Sequence, residues 1–217
     1  MKKSNLHNAR HIVVEGPIGV GKTSLARRLG NYLDIPLLLE QPETNPFLGR
    51  FYEDPQRYAL QTQLFFLFQR IDHLQNLSQS ALFARATVCD YLLEKDALFA
   101  SLTLAEDEYR LYRQVYDRVA LPASAAPDLV IYLQASPQTL ISRVRKRGID
   151  MERSISDDYL TRLSEGYTRF FHDYDAAPVM VVNSEHINFV DHDDDFQLLV
   201  QRIESMRGHR EYFNRGT

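Results

Sequence analysis

Short runs of consecutive apolar residues alternate along the chain with longer stretches in which apolar positions recur every three to four residues. The short runs predict strands at 11–15, 36–39, 86–90, 129–133 and 179–182, each apolar at successive positions as a strand buried on both faces requires. The longer stretches predict helices at 22–33, 56–83, 92–100, 107–120, 137–147, 156–174 and 196–206. This alternation is the pattern of an α/β fold, a five-stranded parallel sheet covered by helices on both faces. No repeat or low-complexity linker divides it, and the segment LPASAAPD at 121–128 reads as a loop into the fourth strand. One domain is expected over residues 11–207, between a flexible N-terminal tail (1–10) and a C-terminal tail (208–217).

Length agrees with one domain: 217 residues can bury close to 70% of their unfolded surface, so the core needs no covalent staple. A single cysteine, Cys89, excludes an internal disulfide and a cysteine-built zinc site; inside a strand it reads as a small core residue. With 25 basic against 29 acidic residues the formal charge is −4, which argues against a nucleic-acid binder. The first ten residues lack the apolar region of a secretory leader, and no apolar run approaches the roughly 18 residues of a membrane span. A soluble, cytoplasmic protein is expected.

The strongest chemical signal is GPIGVGKTS, from Gly16 to Ser24, which follows an apolar strand and opens a helical stretch. Gly16, Gly19 and Gly21 let successive N–H groups face a phosphate chain, and the helix N-terminus adds the positive end of its dipole. Lys22 supplies a point charge, and Thr23 can place its hydroxyl on Mg²⁺. A nucleotide such as ATP is the ligand this loop takes.

Other candidates carry two readings each. Asp90, ending the third strand, either holds Mg²⁺ beside the phosphate loop or caps the following helix. Glu40, ending the second strand, either faces the ligand edge of the sheet as a general base or is a surface carboxylate. Leu64-Phe65-Phe66-Leu67-Phe68 occupies more than a full helical turn, so that part of the long helix is expected to be enclosed on all sides. Gln63 and Arg70, seven residues apart on it, share a face and either present an amide and a guanidinium to one planar ligand or leave Arg70 to a structural carboxylate. Arg143, Arg145, Lys146 and Arg147 before Gly148 either complement the helix dipole or form a lid over phosphates. The alternation Asp191, Asp193, Asp195 fails as a calcium loop, since Phe196 stands where glycine is needed and Arg202 where glutamate is needed.

Taken in order, these pieces resemble the deoxyribonucleoside kinase family, of the deoxycytidine, deoxyguanosine and bacterial deoxyadenosine kinase type. The resemblance rests on the phosphate loop, Glu40 after LLLE, the segment FYEDPQRYALQTQLFFLFQR from Phe51 to Arg70, Asp96 six residues after Asp90, RVRKRG from Arg143 to Gly148 with Glu152 beyond, and DDDF from Asp193 to Phe196. It implies Glu40 as base for a 5'-hydroxyl, Tyr52 and Glu152 at the sugar 3'-hydroxyl, and Gln63, Arg70 and Asp96 at the base. It further implies Arg147, with Lys22, at the transferring phosphate, Arg143, Asp195 and Phe196 near ATP, and a homodimer. Two positions depart from the family pattern: Asp90-Tyr91-Leu92 stands where Glu-Arg-Ser is usual, and Ile149 replaces the second lid arginine. The rivals are a nucleoside monophosphate kinase of the thymidylate kinase kind and a nucleotide sensor without turnover.

Overall fold

The computed structural model describes residues 5–80, 86–119 and 126–215. The expected ends of the helices at 83 and 120, most of the 121–128 loop and both extreme termini lie outside those residues. Five strands fall where expected: β1 (His11–Glu15), β2 (Leu37–Leu38), β3 (Thr87–Cys89), β4 (Leu129–Gln134) and β5 (Val179–Asn183). A sixth, β6 (Arg210–Phe213), lies in the stretch expected to be a tail, so the sheet has six parallel strands in the order β2-β3-β1-β4-β5-β6. At the other end the helix α1 (Asn5–Asn8) docks through the buried Leu6, so the N-terminal tail is also partly tied down.

The sheet is covered on both faces. Ile12, Val14, Ile131, Leu133, Met180 and Val182 point to one side, where α2 (Lys22–Leu33) supplies Leu25 and Leu29 and α9 (Asp193–Glu204) supplies Phe196, Leu199 and Ile203. The alternate residues Val13, Val130, Tyr132, Val179 and Val181 face Leu163, Tyr167 and Phe171 of α8 (Asp157–Asp173). Burial of both faces is the physical reason for the unbroken apolar runs.

A second, helical layer lies beyond the carboxyl edge: α3 (Leu48–Glu53), the long α4 (Pro55–Ser80), α5 (Lys95–Thr103) and α6 (Glu106–Arg118). Leu67 and Ile71 of α4 pack with Ala100 and Tyr112, while Ala59 and Phe66 pack on Leu48 and Phe51. Phe68 is 50% exposed and Phe65 only partly buried, so α4 is not enclosed all round. Its neighbours α3, α5 and α6 leave one side to solvent. The remaining helix, α7 (Pro137–Arg147), starts at the N-cap Ser136 and stops at Gly148, whose φ of 67° is the left-handed terminator a glycine permits.

Candidate functional site

Strands β1, β2 and β3 end side by side, and each delivers a carboxylate to the same edge: Glu15, Glu40 and Asp90. In an open parallel sheet this edge is where ligands bind. The loop from Gly16 to Gly21 springs from the central β1. At Gly16, with φ of 150°, an added Cβ would stand 2.3 Å from the Leu133 carbonyl, so only glycine lets the loop leave the sheet this closely. Lys22 curls back, its Nζ donating to the carbonyls of Gly16 (2.7 Å) and Pro17 (3.2 Å); burial lowers its pKa, with the charge of Glu15 opposing. Ser24 follows in the first turn of α2 and, unlike Lys22 and Thr23, is not part of the cleft wall.

Asp90 links the loop to Glu40. Its Oδ2 accepts from the Thr23 hydroxyl at 2.6 Å and its Oδ1 from the Glu40 backbone N–H at 2.7 Å. The next helix starts only at Lys95 and is not capped by Asp90. Burial raises the Asp90 pKa against those two hydrogen bonds. A hydroxyl and one carboxylate, side by side beside a phosphate loop, form the sparse oxygen set that suits Mg²⁺ when nucleotide phosphates supply further ligands.

A cleft opens at this point, walled by Gly19, Lys22, Thr23, Glu40 and Asp90 from the sheet edge, by Tyr52, Gln63, Phe66 and Arg70 from α3 and α4, and by Arg147 and Glu152. Arg70 of α4 ion-pairs with Glu40 and with Asp96 of α5. Burial alone would raise the Glu40 pKa, but the charges of Arg70 and Lys95 outweigh it and hold the carboxyl down to about 2. Glu40 is therefore an ionised, oriented carboxylate. Arg70 lines the cleft and also pairs with two carboxylates. Asp96 is fully buried beside it rather than on the cleft wall, and its Oδ2 has no donor among the described residues. Gln63 approaches Thr103 Oγ1 at 3.4 Å.

Arg147 is paired with Glu152 through contacts of 2.5 and 2.6 Å. Its neighbour Arg145 is held by Asp157 instead, at 2.7 Å from each carboxylate oxygen. A second cleft opens behind the phosphate loop, lined by Gly19, Gly21, Arg143, Asn188, Asp195 and Arg215 among others. There Arg143 donates to Ser184 Oγ (3.1 Å) and the Ser184 carbonyl (2.7 Å). Asp195 accepts from the Asn188 N–H at 2.7 Å and pairs with Arg215. Phe196 is not part of that wall: its ring is buried in the core against Tyr32, with the Arg28 guanidinium 4.3 Å from its centroid.

Sequence reasoning missed Lys95 and Tyr167, which line the first cleft, and Glu15, which pairs with both. Glu15, fully buried, accepts from the N–H groups of Gly16 (2.8 Å) and Leu92 (2.6 Å) and from the Tyr167 hydroxyl (2.9 Å). Lys95 lies 3.4 Å from Glu15 and 3.5 Å from Glu40. A carboxylate closing an apolar strand directly before a phosphate loop was a readable signal for Glu15. Tyr91, at the position where the resembled family carries arginine, hydrogen-bonds His73 Nδ1 at 3.2 Å and is absent from the cleft wall. Buried Cys89, whose thiol pKa is raised by burial, is the core residue expected.

Comparison with known proteins gives one answer. A family model described as deoxynucleoside kinase matches residues 12–206. A deoxyguanosine kinase of Bacillus subtilis (strain 168) is 31% identical over 208 residues, 93% of this chain and 99% of that protein. A deoxyadenosine kinase of Dictyostelium discoideum is 32% identical over 203 residues, 91% of this chain and 80% of that one. Among solved structures, deoxyadenosine kinase from M. mycoides, with products dCMP and a flexible dCDP bound, superposes with a TM-score of 0.76 at 26% identity, covering 90% of this chain and 100% of that chain.

Proposed function

Because the chain belongs to the deoxynucleoside kinase family, we propose that it transfers the γ-phosphoryl group of ATP, with Mg²⁺, to the 5'-hydroxyl of a deoxynucleoside, favouring purines or deoxycytidine over thymidine. The observation that carries this is the polarity of one cleft. Lys22, Thr23, Asp90 and the ionised Glu40 stand at the sheet edge, and Tyr52, Gln63 and Phe66 on α3 and α4 line the same cleft, so that groups suited to phosphate, sugar and base share one cavity.

Lys22 exchanges its two loop carbonyls for β- and γ-phosphate oxygens. Thr23 and Asp90 hold Mg²⁺, which neutralises phosphate charge when bound. Glu40 orients the 5'-hydroxyl and takes its proton. Tyr52 and Glu152 receive the sugar 3'-hydroxyl, and Arg147, released from Glu152, turns to the transferring phosphate. Arg143, beside the second cleft with Asp195, supports the nucleotide; Phe196, packed in the core, acts there only by holding α9. Arg70 and the unpartnered Asp96 Oδ2 favour a base that carries an amino group beside a ring-nitrogen acceptor. A cytoplasmic homodimer completes the proposal; no helix among the described residues is long and apolar enough to cross a membrane, and the half-exposed Phe68 and Leu111 supply apolar surface for a second copy.

The test is a panel of the four deoxynucleosides and their monophosphates with γ-labelled ATP. Phosphorylation of deoxynucleosides with thymidine at least tenfold poorer in kcat/KM is expected, the cost of a buried carboxylate left without its donor. Label transferred only to monophosphates, or ATP binding without transfer, overturns it.

A further inference from the structure

Lys95 breaks two local rules. It is the first residue of α5, where the helix dipole disfavours a cation, and it is 2% exposed, although lysine is rarely buried without a committed partner. Its partners are not committed either. Nζ lies 3.4 Å from Glu15 Oε2 and 3.5 Å from Glu40 Oε1, both beyond the roughly 2.7–2.9 Å of a charge-assisted hydrogen bond. Glu15 already accepts from Gly16, Leu92 and Tyr167, so it does not depend on Lys95 for its hydrogen bonds.

Of the cations on this cleft wall, Lys22 is occupied by loop carbonyls, Arg70 by Glu40 and Asp96, and Arg147 by Glu152. Lys95 alone among them stands between carboxylates with its donors free to turn to a ligand. The oxygen it approaches, Glu40 Oε1, belongs to the group placed to take the 5'-hydroxyl proton, so whatever bonds to Glu40 comes within reach of the ammonium.

We propose that Lys95 is a catalytic residue of this phosphoryl transfer, its ammonium donating to the phosphoryl oxygens as they arrive at the 5'-oxygen. This rests on the kinase function proposed above. In the step the 5'-oxygen forms a bond to the γ-phosphorus, the bond from that phosphorus to the β,γ-bridging oxygen breaks, ADP departs, and the hydroxyl proton passes to Glu40. Negative charge thus gathers beside Glu40, which is already anionic, and a fixed cation there is worth more in the transition state than with the neutral nucleoside.

The test compares the wild-type protein with Lys95→Met and with the double variant Glu15→Gln/Lys95→Met, which removes both buried charges and keeps the fold if Lys95 alone proves too disruptive. The readouts are melting temperature, kcat, deoxynucleoside KM, and calorimetric affinity for the deoxynucleoside and its 5'-monophosphate. We expect kcat lower by about 10²- to 10³-fold, KM changed less than about threefold, and a loss of affinity for the monophosphate that the nucleoside does not share, in the double variant as well. If the double variant regains both melting temperature and kcat, Lys95 is only a counter-charge for Glu15 and the assignment is overturned. Equal losses for nucleoside and monophosphate overturn it too. A wild-type protein inactive on every deoxynucleoside would instead refute the kinase function itself.

Discussion

At the scale of single residues the Glu40 carboxylate is the informative case. Glu40 could be read from its place at a strand end, but its state depends on Arg70, thirty positions away, and on Lys95, which no spacing rule connects to it. Replacing Glu40 with Gln keeps the shape and removes the proton acceptor, so kcat should fall by roughly 10²- to 10⁴-fold with little change in ATP affinity; a loss confined to ATP binding would show that the base lies elsewhere. The charge of Arg70 leads those that hold the Glu40 carboxyl down to about 2 against burial. A carboxylate depressed in this way adds stability that is complete above its unfolded pKa and is lost as pH falls towards 2. In Arg70→Met the largest charge opposing burial is lost, the Glu40 pKa rises, and the acid limb of kcat/KM should move towards neutrality. A uniform loss of rate with the limb in its wild-type place would separate Glu40 from the observed titration. Sequence reasoning found the residues that motifs announce. It passed over Glu15, Lys95 and Tyr167, whose work is done by burial and by contacts across 77 to 152 positions of chain.

Elements were legible in proportion to how many faces they bury. Strands β1, β4 and β5 carry unbroken apolar runs (12–14, 129–133 and 179–182) because helices cover both sides, and their bounds were readable within a residue or so. Strand β2 shrinks to Leu37–Leu38, since Pro36 has no N–H to offer the ladder. Strand β6 reads Arg-Glu-Tyr-Phe, an edge strand with two charges and no apolar run, which explains why it passed for a tail. The phosphate loop was unmistakable because its glycines answer a steric demand, and that demand can be tested. Gly16→Ala combines a strained φ with a collision against the Leu133 carbonyl, so a destabilisation of about 2 kcal/mol or more is expected, a melting temperature lower by roughly 4–8 °C, with weakened ATP binding. At Gly49, inside α3, an added Cβ meets nothing within 4 Å. There Gly→Ala should stabilise by roughly 0.5–1 kcal/mol. Parallel thermal melts of the two variants decide the matter, and equal shifts would refute the steric account.

For the whole molecule, alternation of short apolar runs with amphipathic helices was enough to assign the α/β class, while the position of the chain's end was not, because what holds it is tertiary. Beyond Gly208 the chain returns to the sheet: β6 pairs with β5 from Val179↔Arg210 to Val182↔Phe213. Arg210 donates to the carbonyls of Phe171 and Tyr174 at the end of α8, where a cation complements the helix dipole. Arg215 then pairs with Asp195, a carboxylate only 3% exposed on the wall of the cleft behind the phosphate loop. Ending the chain at Gly208 removes all three ties and leaves Asp195 with the Asn188 N–H but without its guanidinium. A loss of about 3 kcal/mol is expected, a melting temperature lower by roughly 6–12 °C. Because Asp195 and Arg215 border the second cleft rather than the first, ATP affinity should fall more than deoxynucleoside affinity. Calorimetric titration of both ligands on the truncated protein tests this: equal losses would mean that the C-terminal segment only stabilises the sheet, and an unchanged melting temperature would mean that it does not even do that.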